Sequence, residues 1–420
     1  MPLPIAQMPF PAINARRIMD RCDALARHSE EPGKLTRVFL SPEHRAAAAA
    51  VSGWMREAGM HARMDAIGNV LGRYEGTQAG SPCLLLGSHL DTVRDAGRYD
   101  GMLGVVTAIE CVQAFADAKR RFPFALEIAV FGDEEGTRFG TTLLGSRALA
   151  GSFDPASLAA RDAGGVTLAQ ALRDFGLDQD RIGTAAKSSA ELLAYVELHI
   201  EQGPVLESLG LPLGVVTAIN GFSRLRAALT GSAGHAGTVP MALRRDALAA
   251  AAECVLAVER IAGATPDLVG TVGHIEARPG AINVIPGEVR FTLDVRAPDN
   301  RVRNDAVRDI SAALIEIAAR RKLALNIETL QQQDASTCAG WLVAQLEQSI
   351  RAEGYGLHRL PSGAGHDGMA MQAIAAIAML FVRCKGGISH NPAESITEAD
   401  AAAGAQVLAR FIENFRAPNP

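Results

Sequence analysis

LLLGSH at residues 84–89 and FALEIAVFGDEE at residues 124–135 share one construction. An apolar run stops at glycine, and a histidine or a pair of carboxylates follows. A short apolar run bounded in this way reads as a buried strand. Between the two stretches the spacing predicts a helix from about Leu103, with Val105, Ile109, Val112 and Phe115 on one face. Strands alternating with helices predict a mostly parallel sheet covered by helices on both faces. Ligands of such sheets sit beyond the carboxyl ends of the strands. His89 and the Glu134-Glu135 pair both fall at such ends, so the pattern points to one crevice.

Upstream, Ser41-Pro42-Glu43 predicts a helix start: a capping hydroxyl, proline in the first turn, and an acid at the positive end of the dipole. The alanines at 46–50 continue that helix and Gly59 can end it. Downstream the rhythm changes. Residues 215–230 read mainly as a strand, 241–261 as a helix, 268–276 and 288–295 as strands, 302–319 as a helix and 323–330 as a last strand. That order is the split βαβ pattern of a ferredoxin-like α+β unit. The expected architecture is therefore an α/β domain over 1–214 and 332–420, interrupted by an inserted α+β domain over 215–331. A core strand is expected over 374–382 and a closing helix over 397–415.

The 420 residues are 48% hydrophobic and 21% charged, the balance of an ordinary globular protein with a sizeable core. The formal net charge is −5 and no basic tail is present. Phosphate binding needs a concentrated Lys/Arg surface, which argues against a nucleic-acid partner. Arg16-Arg17 is too short to serve as one and reads as a solvated helix face. The first twenty residues show no charged start followed by an apolar core, so no secretory signal is expected. No apolar stretch has the length of about 18 residues that a membrane span needs. Cys22, Cys83, Cys111, Cys254, Cys338 and Cys384 are scattered without CxxC spacing and read as reduced, buried thiols. A cytoplasmic location is the expectation.

Five places carry candidate chemistry: His89 in GSHLD, Asp100 in RYDG, Glu134-Glu135 in GDEEG, His199 in ELHIEQG and His390 in GISHNP. Singly, each has an ordinary alternative, since a lone histidine at a strand end is commonly structural and an EE pair is commonly solvated. Together they mix His and carboxylate donors of the kind that suit Zn, Mn, Co or Ni. Three histidines and two carboxylates could hold two ions if one carboxylate bridges them. The pattern by itself leaves a metal site and a structural role both open.

In order along nearly the whole chain stand GSHLDTV, GRYDGMLGV, FGDEEGTRFGTTLLGSRALAG, ELHIEQGPVLE, GSAGHAGTVPM, NVIPGEVRFTLDVR, AGHDGMAM and GGISHNPAE. With these stretches the sequence resembles the amidase/hydantoinase/carbamoylase branch of the M20 metallopeptidase family. That branch includes N-carbamoyl-L-amino acid hydrolases, β-ureidopropionases and allantoate amidohydrolases. The resemblance implies two divalent metal ions per subunit, with His89 and His199 on one, Glu135 and His390 on the other, and Asp100 bridging. It implies Glu134 as general base and Asp91 as the partner that orients the His89 ring, although Asp91 could otherwise be a turn-capping residue.

The resemblance also implies a small ureido substrate that bears a carboxylate. Arg296, at the end of FTLDVR, would bind that carboxylate through its planar fork, and Arg224 would add a second cationic contact. Gln202 would touch substrate near the metals and Asn283 would contact it from the inserted domain. His235 would reach the transition-state oxyanion from the neighbouring subunit of a homodimer, which makes the inserted domain a dimerisation and lid domain. Apart from the resemblance, Arg296 reads as a surface ion-pairing residue, Arg224 as a solvated strand residue, Asn283 as a turn residue and His235 as part of a mobile loop. His366 reads as loop architecture lining the site, because the ligand set is full without it.

Peptidase relatives carry a carboxylate where His199 stands, so a peptidase or aminoacylase is the alternative that HIEQGP speaks against. A catalytically inactive binding relative is a further alternative, and it should lack a ligand or the base, whereas this chain has all of them. Departures from the family pattern, at Arg94-Asp95-Ala96 and at Gly368, involve none of the proposed ligands.

Overall fold

The computed structural model describes residues 12–418. Part of the N-terminal stretch read for a leader therefore lies outside the described residues. Two compact units result. The first takes the residues up to Thr217, Cys338–Leu360 and those from Gly365 onward; the second takes Ala218–Thr337 and Pro361–Ala364.

Four parallel strands form the centre of the first unit, in the order Ala125–Phe131, Cys83–His89, Leu192–Ile200 and Ile377–Val382. Antiparallel strands flank them: Val70–Tyr74 and His61–Met64 beyond the first, Leu213–Ile219 beyond the last. The parallel strands are buried along almost their whole length. That is why they read as apolar runs rather than as alternations. Helix Met102–Asp117 is buried nearly all round and packs on the sheet and on helices Ala15–Leu25 and Glu398–Asn414. Its buried Glu110 is paired with Arg17 at 2.6 and 2.9 Å, which offsets the cost of an acid in the core. Helix Pro42–Glu57 is capped as its sequence predicts, with the Ser41 hydroxyl accepting from the His44 amide at 3.0 Å. Because the central strands are parallel, their carboxyl ends share one edge, with His89 in register with Phe131 and Phe381 in register with His199.

The second unit is an antiparallel sheet in the order Ile275–Arg278, Glu288–Ala297, Gly221–Thr230 and Ala324–Gln333. Val269–Thr271 also pairs with Glu288–Ala297. Helices Ala247–Gly263 and Asn300–Arg320 pack on the sheet. The two long central strands alternate buried and exposed residues, as expected of a sheet with a single buried face. Leu225, Ala227, Leu229, Val289, Phe291, Leu293 and Val295 form that face.

Three local expectations change. The stretch 215–230 is two strands, broken at Asn220 and belonging to different sheets. Its first half is a buried run and its second half an alternation. The helix expected over 241–261 starts at Ala247, where the Asp246 carboxylate accepts from the Leu248 and Ala249 amides, and 241–243 form a separate turn. The strand expected over 268–276 is divided into Val269–Thr271 and Ile275–Arg278. Among the described residues no helix is long and apolar enough to cross a membrane.

Candidate metal centre

His89, Glu134, Glu135, His199 and the loop carrying His390 meet at the carboxyl edge of the parallel strands, and Asp100 lies among them. Asp100 Oδ1 is 3.5 Å from His89 Nε2 and 3.1 Å from His199 Nε2. Its Oδ2 is 3.3 Å from His390 Nε2, which in turn is 3.5 Å from Glu135 Oε1. Donor atoms of His89, Asp100 and His199 lie within 4.8 Å of one another, and so do those of Asp100, Glu135 and His390. A further group joins His89, Glu134 and Glu135.

The inner imidazoles are fixed by the backbone. His89 Nδ1 lies 3.0 Å from the Asp91 carbonyl, and His199 Nδ1 lies 2.9 Å from the Ile200 carbonyl. Each carbonyl accepts, so Nδ1 carries a proton and Nε2 is the ring atom that faces Asp100. Asp91 thus touches the His89 ring through its main chain. Its carboxylate lies 3.9 Å from the same ring nitrogen and also holds the next strand end: Oδ1 accepts from the Glu134 amide at 3.1 Å and Oδ2 from the Glu135 amide at 3.2 Å. One buried acid therefore fixes the turn that presents both glutamates.

Gly101 follows Asp100 at a φ of 74°, and a Cβ there would run into the His89 ring. Only glycine suits that position. Asp133, Gln202 and His390 also hold positive φ, at 63, 57 and 54°. Side chains beyond glycine rarely adopt that region, and it is held where the surroundings over-determine it.

Protonation in the centre follows burial and charge. Burial pushes the Glu134 carboxyl well up, and burial with the Asp100 charge takes Glu135 up to about 7. Burial opposes ionisation of Asp100, yet the bonds from His199, His390 and His89 hold it well below the usual range. The Asp100 bond raises half-exposed His390 to about 9. Asp133 is fully buried, its two carboxylate oxygens have no hydrogen-bond partner among the described residues, and burial raises it strongly. Buried acids in such number, with imidazoles whose Nε2 atoms face inward, form a donor set that fits divalent cations bound by nitrogen and oxygen.

The other expected residues are placed as follows. Gln202 Nε2 donates to Asp100 Oδ2 at 2.9 Å and to Ser389 Oγ at 3.1 Å. His366 is buried edge-to-face against His199, with ring centroids 4.5 Å apart. In the second unit Arg296 grips Asp294 with two bonds, at 2.8 and 2.9 Å, and Arg224 shares the same carboxylate at 3.2 Å. Both guanidinium groups also lie by the Phe222 ring. They line a cavity of about 610 Å³ within that unit. His235 and Asn283 come together elsewhere in the second unit, where Gly234–His235 pairs with Val284–Ile285 and the Ala236 amide donates to the Asn283 carbonyl.

Two residues of the centre went unnamed in the sequence reading: Ser389 and Glu394, which flank the His390 loop. Their signal is an acid shortly after a candidate ligand in a proline-containing loop, GISHNPAE.

The sequence profile of peptidase family M20/M25/M40 matches residues 85–414. An N-carbamoyl-L-amino acid amidohydrolase of Geobacillus stearothermophilus is 43% identical over 397 residues, covering 94% of this chain and 97% of its own. An allantoate deiminase of Arabidopsis thaliana is 39% identical over 425 residues, covering 94% and 81%. A crystal structure of a hydantoinase/carbamoylase-family amidase from Burkholderia multivorans superposes with a TM-score of 0.90 at 32% identity, covering 95% and 97%.

Proposed function

The chain belongs to peptidase family M20/M25/M40, and from that premise we propose a dinuclear metal-dependent amidohydrolase that cleaves the ureido C–N bond of N-carbamoyl-L-amino acids or allantoate. The activities named for similar enzymes support the reaction class. The observation that carries the dinuclear reading is the placement of Asp100, whose Oδ1 faces His89 and His199 while Oδ2 faces His390 beside Glu135. His89 and His199 would hold one ion, Glu135 and His390 the other, and Asp100 would bridge. Zn, Mn, Co and Ni all suit these donors. When bound, such cations polarise a carbonyl and acidify a water toward neutral pH.

The chain's own groups do the rest. Glu134, buried and held by the Asp91 carboxylate through its amide, takes the proton of the attacking water and returns it to the leaving nitrogen. Ammonia leaves, together with a carbamate that loses carbon dioxide. Two guanidiniums share the single Asp294 carboxylate, which leaves one positive charge over. That excess supports Arg296, assisted by Arg224, as the seat of the substrate carboxylate. Gln202 Oε1 is buried without a hydrogen-bond partner among the described residues and can accept from a substrate N–H.

The loop pair carrying His235 and Asn283 also exposes Met241, Leu243 and Ile282. That apolar surface supports a homodimer in which the second unit serves as dimerisation and lid domain, with His235 and Asn283 acting on the neighbouring subunit's substrate. All six cysteines are free and buried, which supports a reducing compartment, and we place the enzyme in the cytoplasm.

Chelation, reloading with Mn, Co, Zn or Ni, and metal analysis test the reading. Two ions per chain are expected at saturation. A single ion at saturation contradicts the dinuclear assignment.

A further inference from the structure

Asp100 is held by more than the His and Glu side chains grouped around it. Glu394, 4% exposed, accepts the Tyr99 amide at 2.8 Å and the Asp100 amide at 3.2 Å, both on Oε1. Its Oε2 lies 3.1 Å from Ser389 Oγ, and that hydroxyl is also 3.0 Å from Asp100 Oδ2. Gln202 Nε2 donates to both Ser389 Oγ and Asp100 Oδ2. The backbone is shaped around this acid, since a Cβ at Gly97 would overlap the Glu394 carboxyl. Glu394 therefore holds the two main-chain amides on either side of the Tyr99 Cα, and through Ser389, which precedes His390, it reaches the carboxylate of Asp100.

We propose that Glu394 and Ser389 form a latch that ties the loop of Asp100 to the loop of His390, so that Asp100 Oδ2 and His390 Nε2 are held at cation-binding separation. This rests on the dinuclear reading and adds two positioning residues to it. Neither is a ligand. Their action is mechanical: a buried carboxylate that accepts two consecutive amides fixes the peptide plane, and a hydroxyl beside Oδ2 limits rotation of the Asp100 carboxylate. Partners of this outer kind are commonly worth ~10- to 100-fold in metal affinity.

The test measures Co(II) binding to the chelated full-length protein by calorimetry and by the visible Co(II) absorption, with the melting temperature of the metal-free protein recorded alongside. Ser389→Ala is expected to weaken the weaker-bound ion ~10- to 100-fold and to alter its absorption band, with metal-free melting unchanged. Glu394→Gln, which keeps one oxygen for the two amides, is expected to show a smaller loss of the same kind. Asp100→Asn is the control and is expected to lose binding outright. If Asp100→Asn fails while Ser389→Ala and Glu394→Gln both bind Co(II) with native affinity and spectrum, the latch is wrong and the ligand assignment stands. If Asp100→Asn itself binds like the native protein, the bridging assignment is wrong and the latch goes with it. Lowered metal-free melting with native Co(II) affinity in both latch variants makes the pair merely structural and overturns the proposal.

Discussion

The two units present their candidate residues in opposite ways. In the first, Asp91, Glu134, His89 and His199 are buried at or just beyond strand ends, Asp100 is buried in the loop before helix Met102–Asp117, and all are oriented by backbone carbonyls, amides and one another. In the second, Arg224, His235 and Asn283 are exposed, and Arg296 is half-buried on Asp294. A buried polar group must be satisfied or charge-compensated, so its geometry is determined by the fold. An exposed ion pair such as that of Arg224 with Asp294 competes with water, so its geometry can shift to meet a ligand. Changes in the first unit should therefore act on chemistry and metal, and changes at Arg224 and Arg296 of the second on substrate affinity.

The largest expected effect is at Glu134. Glu134→Gln should lower kcat by ~10²- to 10⁴-fold, the usual share of a general base, with metal content unchanged. Native turnover by this variant, read by steady-state kinetics beside metal analysis, ends the base assignment.

Arg296→Ala should raise KM for carboxylate-bearing substrates by about 10- to 100-fold, the loss of a charge-assisted hydrogen-bonded pair, and leave kcat nearly as it was. A fall in kcat at constant KM would place Arg296 in the chemistry and remove the contrast between the units.

The smallest effect concerns a histidine buried away from the carboxylates. His44 lies between Phe39 and Phe175, and burial takes it down to about 3. Its folded value is below its unfolded value near 6.5. Below that pH the unfolded chain binds the extra proton, so stability is lost as pH falls. Between pH 6.5 and 5.5 this costs about 1 kcal/mol. His390 runs the other way. Raised to about 9 in the metal-free chain, it contributes stability below 6.5 that is lost as pH rises through 9. Calorimetric melting of His44→Leu should show a flatter acid limb than the native protein, and an equal slope in both would remove His44 as its source.

What the sequence made legible follows the same division. Runs such as LLLGSH and FALEIAVFGDEE announced strand ends because parallel strands bury both faces. The split βαβ order came from clean alternation. The junction at Asn220 was missed because a buried run and an alternating strand adjoin with only Asn-Gly between them. Leu192–Ile200, which delivers His199, is a strand with no counterpart among the sequence expectations, and it carries Glu197 within its apolar run. That acid is buried on Ser88 and Tyr195, a pairing set by contacts far along the chain. Glu394 follows a candidate ligand in the sequence, but its role is not legible there, because its partners Tyr99 and Asp100 lie almost three hundred residues away. The grouping of ligands rested on the family resemblance, because spacing cannot say which carboxylate oxygen faces which histidine.

The proposed hydrolysis of a ureido C–N bond should depend on metal bound at Asp100. The most direct measurement is ammonia release by chelated protein, before and after addition of Mn, Co, Zn or Ni, from allantoate, N-carbamoyl-β-alanine and a panel of N-carbamoyl-L-amino acids, with dipeptides alongside. No release is expected without metal, release from at least one ureido compound with it, and none from Asp100→Asn. Silence on every ureido compound with metal bound, or cleavage of dipeptides instead, would contradict it.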